Sequence, residues 1–335
     1  MKKLLRKPIG KILSGLVGFL AVVVLAIVLI QPILFAGFYK DAEKEFKAAG
    51  LWQGNVPQGI AYVESKDVFL QVGYKANGKS ASCIYVTDGE GENPRAIELM
   101  TEDGQPYTGH TGGIAAGEKT VWMANDGDYE TGDNGVWVLS LDTLLDENTT
   151  QVTLTEMFYP ETRSACVSVY EGILWVGEFE DPEKYPTKES HHLTAPDGTE
   201  NTALICGYAI DESQDNGLAS STPIAAVSVG SKLQGFVVTR GKIVLSTSYG
   251  LAASHLYFHT LDPHAESQGT VTLDGAEVPV WYLDSTTLEK DVTAPPMTEE
   301  LAVKDDRVYI LNESASVKYA FGNIMRRFNV YSLPF

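Results

Sequence analysis

Five times between residues 58 and 312 the chain repeats one pattern: a short apolar strand, a tight polar turn, and a second apolar strand with an aromatic or β-branched centre. The copies are QGIAYVESKDVFLQ, GGIAAGEKTVWMAN, ACVSVYEGILWVGE, QGFVVTRGKIVLST and EELAVKDDRVYILN. Aligned on Gly59, Gly113, Cys166, Gly235 and Glu300, they run fourteen residues without a gap, and Val68, Trp122, Trp175, Val244 and Tyr309 fall nine positions later. Each copy therefore predicts a β-hairpin. A third strand follows in every unit (CIYVTD, VWVLSLD, LICGYAID, LYFHTLD, FNVYSLP). A fourth is expected near Ala96 to Met100, Gln151 to Met157, Ile224 to Val229 and Val278 to Leu283. The fifth unit lacks one, so Leu51 to Val56 is expected to supply it by circular closure, removing an exposed sheet edge. Four-stranded units at this spacing predict an all-β, five-bladed β-propeller over residues 51–335, with a pair of β-sandwiches as the structural alternative.

Ahead of the repeats, Ile12 to Phe38 is uncharged and rich in Leu, Val, Ile and Ala. As a helix it is long enough for a bilayer core of about 30 Å. Lys2, Lys3, Arg6, Lys7 and Lys11 precede it and no acid does, so residues 1–11 are expected to stay cytoplasmic. The expected organisation is a basic tail (1–11), a single transmembrane helix (12–38), a polar stalk (39–50) and an extracytoplasmic propeller at the plasma membrane. A cleaved signal peptide competes with this reading, although its apolar region is usually shorter.

Composition narrows the partners. The 335 residues are 44% hydrophobic, enough to build a core and to exclude a disordered chain. Net charge is −19, and with five cations in the tail the remainder sets 20 cations against 44 acids. Such a body repels nucleic acid. Cys83 and Cys206 fall in third strands and Cys166 in a first strand, which predicts buried free thiols.

If the turn residues are five and six positions after each anchor, the hairpins pair Gln58 with Gln71, Gly112 with Asn125, Ala165 with Glu178, Gln234 with Thr247, and Glu299 with Asn312. Every second-strand member is polar, which predicts a hydrogen-bonding ring around one mouth of the channel. His110, Arg163 and Lys232 share the offset three before the anchor, Asp126, Ser248 and Glu313 share offset thirteen, and Tyr249 and Ser314 come next. Acids, bases and anion donors on one concave surface suit a small polar ligand. His110 is the candidate catalytic group, because its imidazole titrates near neutrality. The loop NDGDYETGDNG (125–135) is acidic but breaks the EF-hand spacing. An insertion over 180–202 carrying His191 and His192 reads as a lid or a solvated excursion, and Lys318, Tyr319, Arg326 and Arg327 as a clamp for an anion. Solvated strand ends are the bland account of all of these.

The QGIAY, GGIA and QGF segments resemble the blade signature of NHL and gluconolactonase-like propellers, and GHTGGIA and PPMTEELAV resemble exported bacterial propeller proteins. Lactonase-type propellers hold calcium in the channel, and the resemblance implies Glu178, Glu299, Asn125 and Asn312 as ligands for Ca²⁺. Those enzymes generally have six blades, where five are counted here. The leading expectation is an anchored propeller that binds a small polar ligand or cell-envelope glycan. The alternatives are a metal-dependent lactone or ester hydrolase with His110 as base, and a protein-interaction scaffold that uses the rim.

Overall fold

The computed structural model describes residues 6–125, 127, 134–320, 323 and 325–335. An apolar helix, Arg6–Leu34, leads through the short helix Ala36–Asp41 into a five-bladed β-propeller. From inner to outer strand, blade one is Asn55–Val63, Val68–Lys75, Cys83–Asp88 and Arg95–Met100. Blade two is Thr111–Ala116, Thr120–Asn125, Gly135–Ser140 and Met157–Phe158, and blade three is Cys166–Tyr170, Ile173–Gly177, Ala203–Ala209 and Ala225–Val229. Blade four is Leu233–Thr239, Lys242–Thr247, Ser254–Thr260 and Leu288–Ala294, and blade five is Thr298–Lys304, Arg307–Asn312 and Asn329–Pro334. Between the blades, alternate side chains such as Trp122, Trp175, Phe69 and Phe236 interdigitate and are almost wholly buried. That burial is the main favourable term holding the ring together.

Closure is circular, but the strand that closes the ring is Glu43–Lys47, which pairs with Asn329–Pro334, rather than 51–56. Residues expected as a stalk are thus the outer strand of blade five. Phe46 accounts for the register, because it enters the core beside Phe69 and Tyr309. Residues 51–53 form instead a single turn before the first inner strand.

Two fourth strands also differ from expectation. Residues 276–282 form a hairpin with 269–273 that extends blade three through parallel pairing to its outer strand, and Leu288–Ala294 completes blade four. Gln151–Thr153 joins blade one in parallel, leaving Met157–Phe158 to blade two. Each displaced segment has the alternation of an outer strand, and only the position of the neighbouring blade decides which edge it covers.

The hairpins are less uniform than their ungapped alignment. In blade one the turn is Glu64 to Asp67, two residues longer than in the other blades, so Gln71 pairs with Ile60 instead of Gln58. Blades one, two, four and five carry a bulge in the inner strand at Gln58, Gly112–Gly113, Gln234 and Glu299–Glu300. A bulge adds a residue and re-aims its side chain. Asn125, Thr247 and Asn312 accordingly face Thr111, Leu233 and Thr298, one residue from their expected partners. Blade three has no such shift, and Cys166 pairs with Gly177 as the repeat predicts.

Candidate functional site

Inner strands run from the mouth, where the bulges sit, to a far end formed by the hairpin turns. Five of them leave little room on the axis: the Gly113 amide donates to the Ala165 carbonyl at 3.0 Å, and a Cβ on Gly112 would stand 2.1 Å from that oxygen. The remaining gap is filled by Glu300. Its carboxylate accepts the backbone N–H of Ile114 at 2.6 Å and of Val167 at 3.0 Å, and also that of Ile60, so a side chain from blade five ties blades one, two and three together. Burial pushes its pKa well above the usual range against the pull of those amides. Glu300 served only as an alignment anchor in the sequence. Its signal is that the other anchors are Gly or Cys, so the one large anchor must occupy the hole they leave.

The bulge places Glu299 beside its neighbour but turned toward the mouth, where its carboxyl is hydrogen-bonded to that of Glu313. Burial first, then the charges of Glu313 and Glu300, raise the pKa of Glu299 well above the carboxylate range. Burial also raises Glu313, opposed by hydrogen bonds from Tyr319 and Gln58 and by the charge of Lys318. Gln58 Nε2 and Tyr319 Oη donate to Glu313 Oε2 at 3.0 and 2.8 Å, which favours the charged form of Glu313 over that of Glu299. Lys318 donates to the Tyr74 hydroxyl and lies over both the Tyr74 and Tyr319 rings, while exposed His110 packs on Tyr74 with centroids 4.6 Å apart. Gln58, Tyr74, His110, Glu299, Glu313, Lys318 and Tyr319 thus form one cluster.

A second cluster lies at blades three and four. Arg163 covers the Tyr185 ring at 5.0 Å, Lys232 covers Tyr249 at 5.6 Å, and Lys184 Nζ donates to the Tyr249 hydroxyl at 2.8 Å. Phe179 bridges Tyr185 and Tyr249. Beneath, fully buried Glu178 accepts from the Leu204 amide and bonds His191 Nδ1 at 2.8 Å, and the Arg163 amide reaches its other oxygen at 3.3 Å. His191 is therefore the internal latch of the 180–202 insertion, not a group on a lid surface. Lys188 and Glu161, 2.6 Å apart, close it from outside.

Other expected ring members turn elsewhere. Gln71 is buried and accepts from the Ala49 amide, a consequence of the longer first turn. Gln234 donates to the Ser248 carbonyl, and Thr247 makes a 3.5 Å contact with the His255 carbonyl. Arg327 donates to Gln31 of the apolar helix and Arg326 packs on Phe328, so neither joins an anion clamp. Asp126 and most of the 125–135 loop lie outside the described residues. All three cysteines are buried thiols outside any disulfide.

The four residues proposed as calcium ligands do not fit that role. Asn125 Oδ1 is taken by the Tyr107 hydroxyl at 2.7 Å, Asn312 spends its amide on the Pro296 carbonyl and Ser314, and Glu178 is committed to His191 and the Leu204 amide. Only Glu299 has its carboxyl in the mouth cluster. Among the described residues no group of three or more His, Cys, Asp and Glu side chains is arranged to hold a metal.

Two cavities were not expected. One of about 540 Å³ opens at the far end, below Glu300, between Tyr62, Glu64, Tyr170, Glu171, Arg240 and Asp305. Another of about 690 Å³ lies between blades three and four against Lys232, Tyr249, His255, Tyr257, His259 and Asp284. The turn-end sequences read as solvent-facing polar residues, so nothing in them announced a concavity.

No family model and no curated protein matches this chain. Solved structures similar to it include a Thermus thermophilus protein described as an oxidoreductase of glucose dehydrogenase type (14% identity, 87% of this chain and 99% of that one, TM-score 0.45). Others are Myxococcus xanthus glutaminyl cyclase (10%, 87% and 96%, 0.43) and BamB from Moraxella catarrhalis (8%, 83% and 83%, 0.34). At such identities and scores no activity passes from them to this chain, and the five-bladed assignment rests on its own strand order.

Proposed function

We propose that this chain is a membrane-anchored, extracytoplasmic propeller that binds a small polar ligand, of the hydroxyl-rich kind found in cell-envelope glycans, at the mouth of its channel. The observation that carries the reading is the carboxyl pair Glu299–Glu313, held by Gln58 and Tyr319 and flanked by the Tyr74 and His110 rings. A carboxylate, a neutral carboxyl and phenols supply both acceptors and donors, and ring faces suit the apolar face of a sugar. Anchoring is supported by Leu13–Leu34, a helix of mean hydropathy 3.0 and long enough to cross a bilayer. Its C-terminal end is also built into the fold: Gln31 is buried against Arg327, and Phe35 and Phe38 enter the core. Cleavage after Phe38, at the end of the apolar run, would remove these residues and their packing, which favours a retained helix. The five basic residues before it favour an extracytoplasmic body.

The test is saturation-transfer NMR on the full chain in nanodiscs, against neutral, amino and acidic mono- and disaccharides. Saturable binding is expected for at least one class, weakened at least about tenfold by Glu313→Gln or Tyr74→Ala and unchanged by Glu171→Gln at the far end. Equal loss on both sides of the channel, or none on either, refutes the assignment to the mouth.

A further inference from the structure

The apolar helix does not leave the propeller at random. Gln31 bonds Arg327, in the loop between the second and third strands of blade five, and that loop is on the mouth side. From there Ala36–Asp41 descends the outside of the blade. Phe38 and Tyr39 pack on Tyr331, in the middle of its strand, and the Asp41 carbonyl receives Arg307, which begins a strand at the far end. The chain therefore runs from mouth to far end after Phe35, and the preceding helix stands off the mouth side, with residues 13–26 exposed.

The rim of that same face is unusually apolar. Among the described residues outside the helix, seven large apolar side chains are exposed, and five of them sit in mouth-side loops: Trp52 (78%), Tyr159 (62%), Leu251 (59%), Val317 (47%) and Tyr185 (38%). They come from every sector of the ring. Only Ile224 and Leu288, which begin outer strands, lie at the far end. There the hairpin turns instead present Glu64, Asp67, Glu118, Glu171, Asp305 and Asp306 against three cations. Scattered single hydrophobics need no explanation, but a one-sided ring of aromatic and aliphatic tips around the exit of an apolar helix has the form of an interfacial belt.

We infer that the mouth face of the propeller is apposed to the lipid surface of the membrane its helix spans, with Trp52, Tyr159, Tyr185, Leu251 and Val317 at headgroup depth. This rests on the anchored reading above and deepens it. A mouth facing the bilayer selects ligands presented from the membrane, such as a lipid-borne sugar or polyol headgroup, over molecules arriving from bulk solvent.

The experiment uses the full chain in vesicles of phosphatidylcholine and phosphatidylglycerol with acyl-brominated lipid. A nitrobenzoxadiazole label is placed at Trp52→Cys, Leu251→Cys, Val317→Cys or Ile224→Cys, with the buried native thiols left in place. Blue-shifted emission and quenching at least about twofold stronger at 52, 251 and 317 than at 224 are expected. Equal quenching at both ends overturns the proposal, as does a label that is dry yet insensitive to bromine, which would mean that protein covers the rim. Alkaline carbonate extraction of the same vesicles separates the two readings: release of the chain defeats anchoring itself, whereas retention with a wet rim defeats only the orientation.

Discussion

Glu300 offers the most direct test of how this channel is held. Its two oxygens accept the Ile114 and Val167 amides, with Ile60 also bonded, in a place that close inner strands shut off from water. In Glu300→Gln an NH₂ replaces one oxygen and meets an N–H donor head-on, leaving at least one buried amide without an acceptor. A buried unsatisfied donor costs about 1–3 kcal/mol, which for a domain of this size is a drop of roughly 2–5 °C in Tm. Glu300→Ala strands two or three amides, and about 2–6 kcal/mol is expected unless water replaces the carboxylate. Gly113 adds a cross-check, because a Cβ there would stand 2.2 and 2.3 Å from the two Glu300 oxygens and 2.5 Å from Cδ. Gly113→Ala should therefore be strongly destabilising alone. In combination with Glu300→Ala it should cost less than the sum, with a coupling of about 1–3 kcal/mol. Urea denaturation of the full chain in detergent reads all four corners of the cycle. Additivity within about 0.5 kcal/mol, or a Glu300→Gln variant as stable as the parent, would falsify the role given to this carboxylate.

Three further expectations concern titration and latching. Glu299 and Glu313 bind protons more tightly folded than unfolded, so their contribution is complete below the unfolded value of about 4.3 and is lost as pH rises through the raised folded values. Glu313→Gln should flatten the decline in Tm between mildly acidic and alkaline pH, and an unchanged slope would sink the raised values given to the pair. His259 has the opposite sign: burial lowers it to about 4, so its contribution is complete above the unfolded value of about 6.5 and is lost as pH falls toward 4. His259→Gln should therefore protect the acid limb of the same profile, and a steeper acid limb would contradict it. Breaking the buried His191–Glu178 bond with His191→Ala should cost about 1.5–3 kcal/mol. Limited proteolysis should then cut within 180–202 much sooner than in the parent, and equal cleavage rates would show that the latch lies elsewhere.

How far the chain explains itself differs from one feature to the next. The hairpin repeat was legible, because a strand buried on both faces and ended by a two-residue turn leaves a local pattern of apolar runs and polar breaks. So were the blade count, the circular closure, the buried thiols and the apolar helix. The sequence also marked Gln58, Glu299, Glu313, Lys318, Tyr319 and His110, all of which enter one cluster, though not as the evenly spaced ring expected.

What local pattern could not carry was register and neighbourhood. A bulge costs one residue and a longer turn two, and neither alters composition, yet each flips or shifts the side chains beyond it. That is why Gln71 is buried under Ala49 while Asn125 and Asn312 bond within the protein. The closing strand was misplaced by several residues, since neither EKEFK (43–47) nor LWQGNV (51–56) carries a decisive strand pattern and only Phe46 against Phe69 and Tyr309 decides between them. The sequence by itself determined the blades, the helix and the supply of polar groups near one mouth. The tertiary structure alone decided that Glu300 closes the axis, that Glu299 meets Glu313 at the mouth, and that the helix leaves from the mouth side. Each of these depends on groups far apart in the chain meeting at distances that only the closed ring sets.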